Sequence, residues 1–247
     1  MNIEGNTILI TGGGTGIGKA LATRFLERGN EVIVCGRRNE VLDVLKKEYP
    51  KVHTRNCDVA SSNERKDLAE SIIREFPALN VLVNNAGIQR RVDLTKETGW
   101  GITRSEIDVN LNAPINLCQL FYPHFAQKQS AAFVNVTSGL SFVPLASVPV
   151  YCATKAALHS FTLSLRWQLE DSQIEVIEVI PPAVDTDLQA PGLHTFGVPV
   201  DEFADAVMPR LEKGEHEIAY GFAHQSSHAS RTELDAIFTR LNSQART

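Results

Sequence analysis

Thr7-Ile8-Leu9-Ile10-Thr11-Gly12-Gly13-Gly14-Thr15-Gly16-Ile17-Gly18 runs from a short apolar segment straight into a cluster of glycines. A helical period follows over Gly16–Arg28 and closes at Gly29, a helix C-cap signal. The stretch reads as a strand, a tight turn and a helix. Glycines at such a junction let the backbone turn sharply and approach a pyrophosphate. The helix N-terminus adds free N–H groups and the positive end of its dipole. Gly12, Gly14, Thr15, Gly16, Ile17 and Gly18 are therefore expected at a dinucleotide site. The spacing is Gly-x-x-x-Gly-x-Gly rather than Gly-x-Gly-x-x-Gly, because Ile17 and Lys19 stand where a third glycine is needed. A P-loop template fits from Gly13 to Lys19 and then fails, since Ala20 has no hydroxyl to hold Mg²⁺.

Outward from this turn, strand-like and helix-like segments alternate. Strands are expected at Glu31–Cys35, Val52–Cys57, Val81–Val83, Ala132–Val136 and Ile174–Ile180. Helices are expected at Asn39–Glu48, from Ser61 or Ser62 to Phe76, at Ser105–Gln127 and at Pro149–Leu169. In the tail, Asp201–Lys213 reads as helix, Glu217–Tyr220 as a strand and Ser230–Leu241 as a last helix. The nearly continuous apolar run Ile174–Ile180 fits a strand buried on both faces, as in a parallel sheet. The alternation predicts an α/β, Rossmann-like, doubly wound parallel sheet of about seven strands flanked by helices. One domain is expected over 1–247, with 1–100 mainly binding dinucleotide, 101–200 holding the catalytic and substrate region, and 201–247 adding helices and an edge strand.

Composition narrows the partners. A chain of 247 residues, 43% hydrophobic, builds a core without disulfides or metal. Its formal charge of -5, with no basic block, argues against nucleic acid. Cys35, Cys57, Cys118 and Cys152 form no C-x-x-C pair and read as buried free thiols of a reducing compartment. Met1-Asn2-Ile3-Glu4-Gly5 lacks the features of a signal peptide, and no apolar run is long enough to span a bilayer. A cytoplasmic protein with no membrane partner is expected. His224 and His228 are spaced for one helix face, yet no third ligand accompanies them, so no metal is expected.

The end of the second expected strand selects the dinucleotide. A carboxylate there would bind a ribose 2′-OH and indicate NAD. The chain has Gly36-Arg37-Arg38 instead. Arginine matches phosphate in charge and geometry. NADP(H) is the expected cofactor, with Arg37 on the 2′-phosphate and NAD(H) as the alternative; otherwise both arginines are solvated residues opening the next helix.

Tyr151-Cys152-Ala153-Thr154-Lys155 places a phenol and an ammonium on one face of a helix. An ammonium beside a phenol lowers the tyrosine pKa from its usual value of about 10. That makes a usable proton donor near neutral pH.

Six motifs together resemble the short-chain dehydrogenase/reductase family over residues 5–190. They are Thr11-Gly12-x-x-x-Gly16-x-Gly18, Asp58-Val59, Asn84-Asn85-Ala86-Gly87, Val109-Asn110-Leu111, Ser138 and Tyr151-x-x-x-Lys155. Pro181-Pro182-Ala183-Val184-Asp185-Thr186 also fits, except that Ala183 stands where the family usually has glycine. The segments Ser138–Leu145 and Val150–Ser160 look like the branch of DltE-type oxidoreductases. The resemblance implies that Tyr151 is the general acid in carbonyl reduction or the base in alcohol oxidation. Lys155 would lower the Tyr151 pKa and bind the nicotinamide ribose, Ser138 would orient the carbonyl, and Asn110 would hold a relay water. Asp58 and Val59 would lie at the adenine. Asn85, Ala86, Gly87, Pro181, Val184 and Thr186 would lie along the cofactor. Asn110 is alternatively a helix residue bonded to a neighbouring loop, and Ser138 a turn cap.

The implied substrate is a small carbonyl compound or secondary alcohol, and the implied assembly a homodimer or homotetramer through Ser105–Gln127 and Val150–Leu169. The rival readings are a non-catalytic dinucleotide sensor and a nicotinamide-dependent epimerase or dehydratase. Leu188, Leu193, Phe196 and Val198, within a loop at Ala183–Val200, are expected over the active site, and Phe142, Val143, Leu145 and Val148 are expected to line its pocket. Gln89-Arg90-Arg91 is either a solvated loop or a contact for an anionic substrate.

Overall fold

Runs of β-branched and apolar residues become strands, and they pair in one parallel sheet. The computed structural model describes residues 1–96, 99–190 and 192–244. The strands are Thr7–Thr11 (β1), Glu31–Gly36 (β2), His53–Asn56 (β3), Leu79–Asn84 (β4), Ala131–Val136 (β5), Ile174–Ile180 (β6) and Glu217–Ala219 (β7). Their order is β3-β2-β1-β4-β5-β6-β7, and every pairing is parallel. The helices are Gly16–Glu27 (α1), Asn39–Glu48 (α2), Ser62–Glu75 (α3), Trp100–Ile107 (α4), Ala113–Phe125 (α5), Pro149–Gln168 (α6), Val200–Glu212 (α7), Phe222–Ser227 (α8) and Arg231–Gln244 (α9).

The period-2 alternation of side chains gives each strand two apolar faces. Ile8, Ile10, Val32, Val34 and Val134 pack on one side with α1 and α7. Leu9, Ile33, Leu82 and Phe133 pack on the other with α3 and α5. This is the doubly wound arrangement the alternation predicts. The chain reverses its direction of winding between β1 and β4, so a crevice opens at their carboxyl ends.

Phe133 is fully buried and stacks on Phe125 with centroids 5.0 Å apart. Phe133→Ala is expected to cost ~3–5 kcal/mol of stability, read by urea denaturation. A loss well below ~3 kcal/mol contradicts this account of the core.

Several boundaries move. The expected helix Ser105–Gln127 begins earlier, at Trp100, and a π-helical segment, Asp108–Asn112, separates α4 from α5. Such bulges insert an extra residue into the helix and often mark functional sites. β3 starts at His53 because Val52 N–H is spent on a turn to Tyr49 O at 3.0 Å. Helix α8 has no counterpart in the sequence reading; it follows Gly221, whose φ of 53° starts a new direction. His224 and His228 stack with rings 4.3 Å apart on this short helix and the residue after it. All four cysteines are buried and free. No helix among the described residues is long and apolar enough to cross a membrane.

Candidate active site

The crevice is organised by bonds between two turns. Thr11 Oγ1 accepts from Asn85 N at 3.1 Å and from Ala86 N at 3.0 Å. Asn85 Nδ2 donates to Thr11 O at 3.0 Å and Gly12 O at 3.1 Å. This close approach requires glycine at two places. Gly12 has φ +64°, and a Cβ there would stand 2.8 Å from Ala86 Cα. A Cβ on Gly18 would stand 2.5 Å from Gly12 O.

A cleft of about 620 Å³ runs from this turn along the carboxyl ends of the strands. Gly12, Gly14, Thr15, Gly16 and Ile17 line it where α1 begins. Arg37 and Val59 line the end beside β2. Asn85, Ala86 and Gly87 form the middle, and Pro181 and Thr186 the wall beyond β6. Tyr151 and Lys155 enter from α6. Five expected site residues stand behind this surface. Gly18 packs under the turn. Asp58 pairs with Arg37, Oδ2 lying 3.9 Å from Nη1. Val184 is buried and bridges to Val198. Asn110 and Ser138 are buried just beneath the wall.

Asn110 sits in the π-helical segment. Its Oδ1 accepts from Ile88 N at 2.9 Å, and its Nδ2 donates to Ile88 O at 2.8 Å and Thr154 Oγ1 at 3.2 Å. The side chain is thus bonded to a neighbouring loop and to α6. Ser138 caps the short turn Gly139–Ser141, accepting from Leu140 N at 3.1 Å.

Lys155 Nζ donates to Val136 O at 2.7 Å and lies 5.7 Å from the centre of the Tyr151 ring. The expected lowering of the Tyr151 pKa is absent here. Burial pushes the phenol up to about 12, with hydrogen bonding from Ser138 opposing the rise. Burial also pushes Lys155 down to about 8, with the charge of Glu178 opposing. Both charged forms lose their water, and that loss outweighs the Tyr–Lys spacing.

The short chain dehydrogenase family profile matches residues 6–195. The chain belongs to the short-chain dehydrogenase family. It is 47% identical to the uncharacterized oxidoreductase DltE of Bacillus subtilis (strain 168), covering 99% of each chain. This short-chain dehydrogenase is therefore of DltE type, an oxidoreductase acting on CH–OH groups. Its fold is similar to that of a Burkholderia cenocepacia J2315 short chain dehydrogenase in complex with NADP, at 28% identity and TM-score 0.84, covering 98% and 99% of the two chains. It is also similar to a Sphingobium yanoikuyae short-chain dehydrogenase in complex with NADPH, at 27% identity and TM-score 0.79, covering 94% and 92%.

Some expected pocket residues of this short-chain dehydrogenase gather and others do not. Leu145, Val148 and Leu188 cluster with Tyr151 and Cys152. Phe142 packs edge-on against His159, 4.7 Å away. Val143 is buried, and Val198 joins the main core. Leu193 and Phe196 are exposed rather than folded over the cleft, Phe196 at 77%.

Two buried carboxylates escaped the sequence reading of this dehydrogenase. Glu106, one helical turn before Asn110, is fully buried, and its Oε1 accepts from Arg90 N at 3.2 Å. Glu178 in β6 is also fully buried, accepting from Thr137 Oγ1 at 2.6 Å and from His159 Nδ1 at 2.9 Å. An acid inside the apolar run Ile174–Ile180 is the signal that marks Glu178, because unpaired acids are rarely buried. A polar residue four before Asn110 is the corresponding signal for Glu106.

Proposed function

We propose that the chain is an NADP(H)-dependent oxidoreductase that interconverts a carbonyl and a secondary alcohol, with Tyr151 as general acid and base. The carrying observation is one cleft that joins the glycine turn and Arg37 to Tyr151 and Lys155. The residues present fit the cofactor. The turn has no side chain at Gly12, Gly14 or Gly16 to block a pyrophosphate, and Arg37 offers a guanidinium beyond β2 for a 2′-phosphate. Similar folds holding NADP and NADPH support the same reading.

When bound, the nicotinamide supplies or accepts the hydride at the substrate carbon. The rest is the work of this chain. Ser138 Oγ donates to the carbonyl oxygen and orients it. Tyr151 Oη delivers the proton to that oxygen, completing the alcohol. Lys155 binds the ribose hydroxyls, and its charge offsets the phenolate as the proton leaves. Thr11, Asn85 and Asn110 hold the turns around the cofactor. Residues 1–100 thus mainly hold dinucleotide, 101–200 carry the chemistry, and 201–247 complete the sheet edge.

A screen of aldehydes, ketones, quinones and sugars with NADPH tests the reading. Consumption of NADPH with matching alcohol supports it, and bound NADPH with no turnover across the whole panel contradicts it. For the cofactor, Arg37→Ala is expected to weaken NADPH binding about 10–100-fold, the worth of hydrogen bonds to a charged group, and to leave NADH nearly unchanged. Fluorescence titration reads both. Tighter binding of NADH than NADPH by the unaltered protein overturns the assignment.

The same reading includes a homodimer or homotetramer. Leu163 and Trp167, one turn apart on α6, and Tyr122 on α5 expose apolar surface, Trp167 at 77%. Light scattering is expected to show an oligomer that Leu163→Glu with Trp167→Glu converts to monomer. A monomeric unaltered protein contradicts this. A cytoplasmic setting, with neither nucleic acid nor membrane as partner, completes the reading; the charge of -5 and the four free thiols support it.

A further inference from the structure

Residues 88–92 form a strap across the start of α6, tied at three points. Asn110 binds both backbone groups of Ile88, at 2.9 and 2.8 Å. Glu106 Oε1 accepts from Arg90 N at 3.2 Å. Val92 N donates to Ser147 O at 3.2 Å, just before α6 begins. Gln89, Arg90 and Arg91 of the strap line the same cleft as Tyr151 and Lys155.

Among the described residues, neither guanidinium has an ion-pair partner. Of the described acids close in sequence, Asp93 pairs with Lys96 and Asp108 with Arg104. Glu106 holds Arg90 by its backbone, and its Oε2 is buried with no partner. Burial raises the Glu106 carboxyl, and the backbone hydrogen bond and charge of Arg90 oppose the rise. Asp187 belongs to the same lining. Counted with Lys155 and the buried Glu106, three formal positive charges (Arg90, Arg91, Lys155) meet two negative ones (Asp187, Glu106), a net charge of +1. It suits a monoanion better than a phosphate dianion. A guanidinium meets a carboxylate through two parallel hydrogen bonds. Beside Tyr151, Leu145 and Leu188 offer apolar surface for a hydrocarbon body.

We propose that the substrate is an oxo acid, its carboxylate held by Arg90 and Arg91 while its carbonyl meets Ser138 and Tyr151. The proposal rests on the reductase reading and adds the class of compound it acts on. Cations lining the same cleft as Tyr151 concentrate such anions at the site.

Two matched pairs test it: para-carboxybenzaldehyde with its methyl ester, and succinic semialdehyde with its methyl ester. With NADPH, kcat/KM is expected to favour the acid over the ester about 10–100-fold in at least one pair, falling as salt rises. In the variant Arg90→Gln with Arg91→Gln, the acid-to-ester ratio is expected to collapse towards unity; the backbone bond from Arg90 to Glu106 survives the change. Calorimetry with para-(hydroxymethyl)benzoate on the NADP⁺-loaded protein is expected to show binding that weakens at least about tenfold in the variant. A ratio at or below unity in both pairs for the unaltered protein overturns the proposal, as does a ratio unchanged by the double substitution. Arginine-dependent benzoate binding with no turnover of any aldehyde keeps the anion site and overturns the reductase reading. Equal turnover of acid and ester overturns the anion site and keeps the reductase.

Discussion

Tyr151→Phe is expected to lower kcat by about 10²–10⁴-fold, the usual worth of a positioned general acid, with NADPH affinity nearly unchanged. The phenyl ring fills the same space against Val148, Leu145 and Leu188, so packing survives and only the hydroxyl is lost. The free site holds that hydroxyl firmly protonated, since burial has raised its pKa to about 12. A neutral phenol is the form that reduction consumes. NADPH consumption gives the rate and fluorescence titration the affinity. A variant that turns over near the normal rate removes Tyr151 from the chemistry.

Lys155→Met is the second large effect, and it has a readout independent of turnover. The ammonium is buried beside the Tyr151 ring with Val136 O as its hydrogen-bond acceptor. In the proposed reaction its removal leaves the phenolate without a compensating charge and the ribose without a donor, so activity is expected to fall at least about 10²-fold. Stability should change in the opposite sense to activity. Burial lowers the lysine pKa from 10.5 to about 8, so the charged form is strained in the folded protein. Between those two values the unfolded chain binds more protons than the folded one, and stability rises with pH. Below about 8 the burial of charge costs ~3 kcal/mol. The four buried thiols, raised from their usual value of 9.0, oppose this rise, so the readout is a difference: the stability of the ligand-free protein relative to Lys155→Met, read by melting, is expected to rise from about pH 8 to 10.5. Parallel pH profiles for the two proteins contradict a buried, strained ammonium.

The parts of the molecule that were readable in advance are the parts written in local signals. Thr7–Gly18 combines an apolar run, a glycine turn and a helical period within one short stretch, and β1, the turn and α1 follow it closely. The apolar run Ile174–Ile180 needs no partner to be recognised as an interior strand, and β6 has those bounds. Tyr151 and Lys155 share a helix face because of their spacing alone.

What was missed depends on contacts between distant segments. Spacing cannot say that burial outweighs the attraction of Lys155 for a phenolate, because burial is set by the whole fold. The partners of Asn110 and Glu106 lie in a loop that precedes them by many residues, and the π-helical segment reflects that attachment. Val198, expected over the active site, is partly buried against the main core, since its bridge to Val184 draws it inward. Phe196 stays exposed because no element closes over it in this arrangement.

In the proposed reaction a hydride crosses this cleft to a carbonyl carbon while Tyr151 protonates the oxygen. The most direct measurement is a reaction with NADPH deuterated at the transferable C4 position, followed by mass spectrometry of the alcohol formed from each carbonyl that is turned over. The account predicts one deuterium on the new carbinol carbon, and product formation that collapses in Tyr151→Phe. Alcohol carrying no deuterium, or labelled alcohol formed at an undiminished rate by Tyr151→Phe, contradicts it.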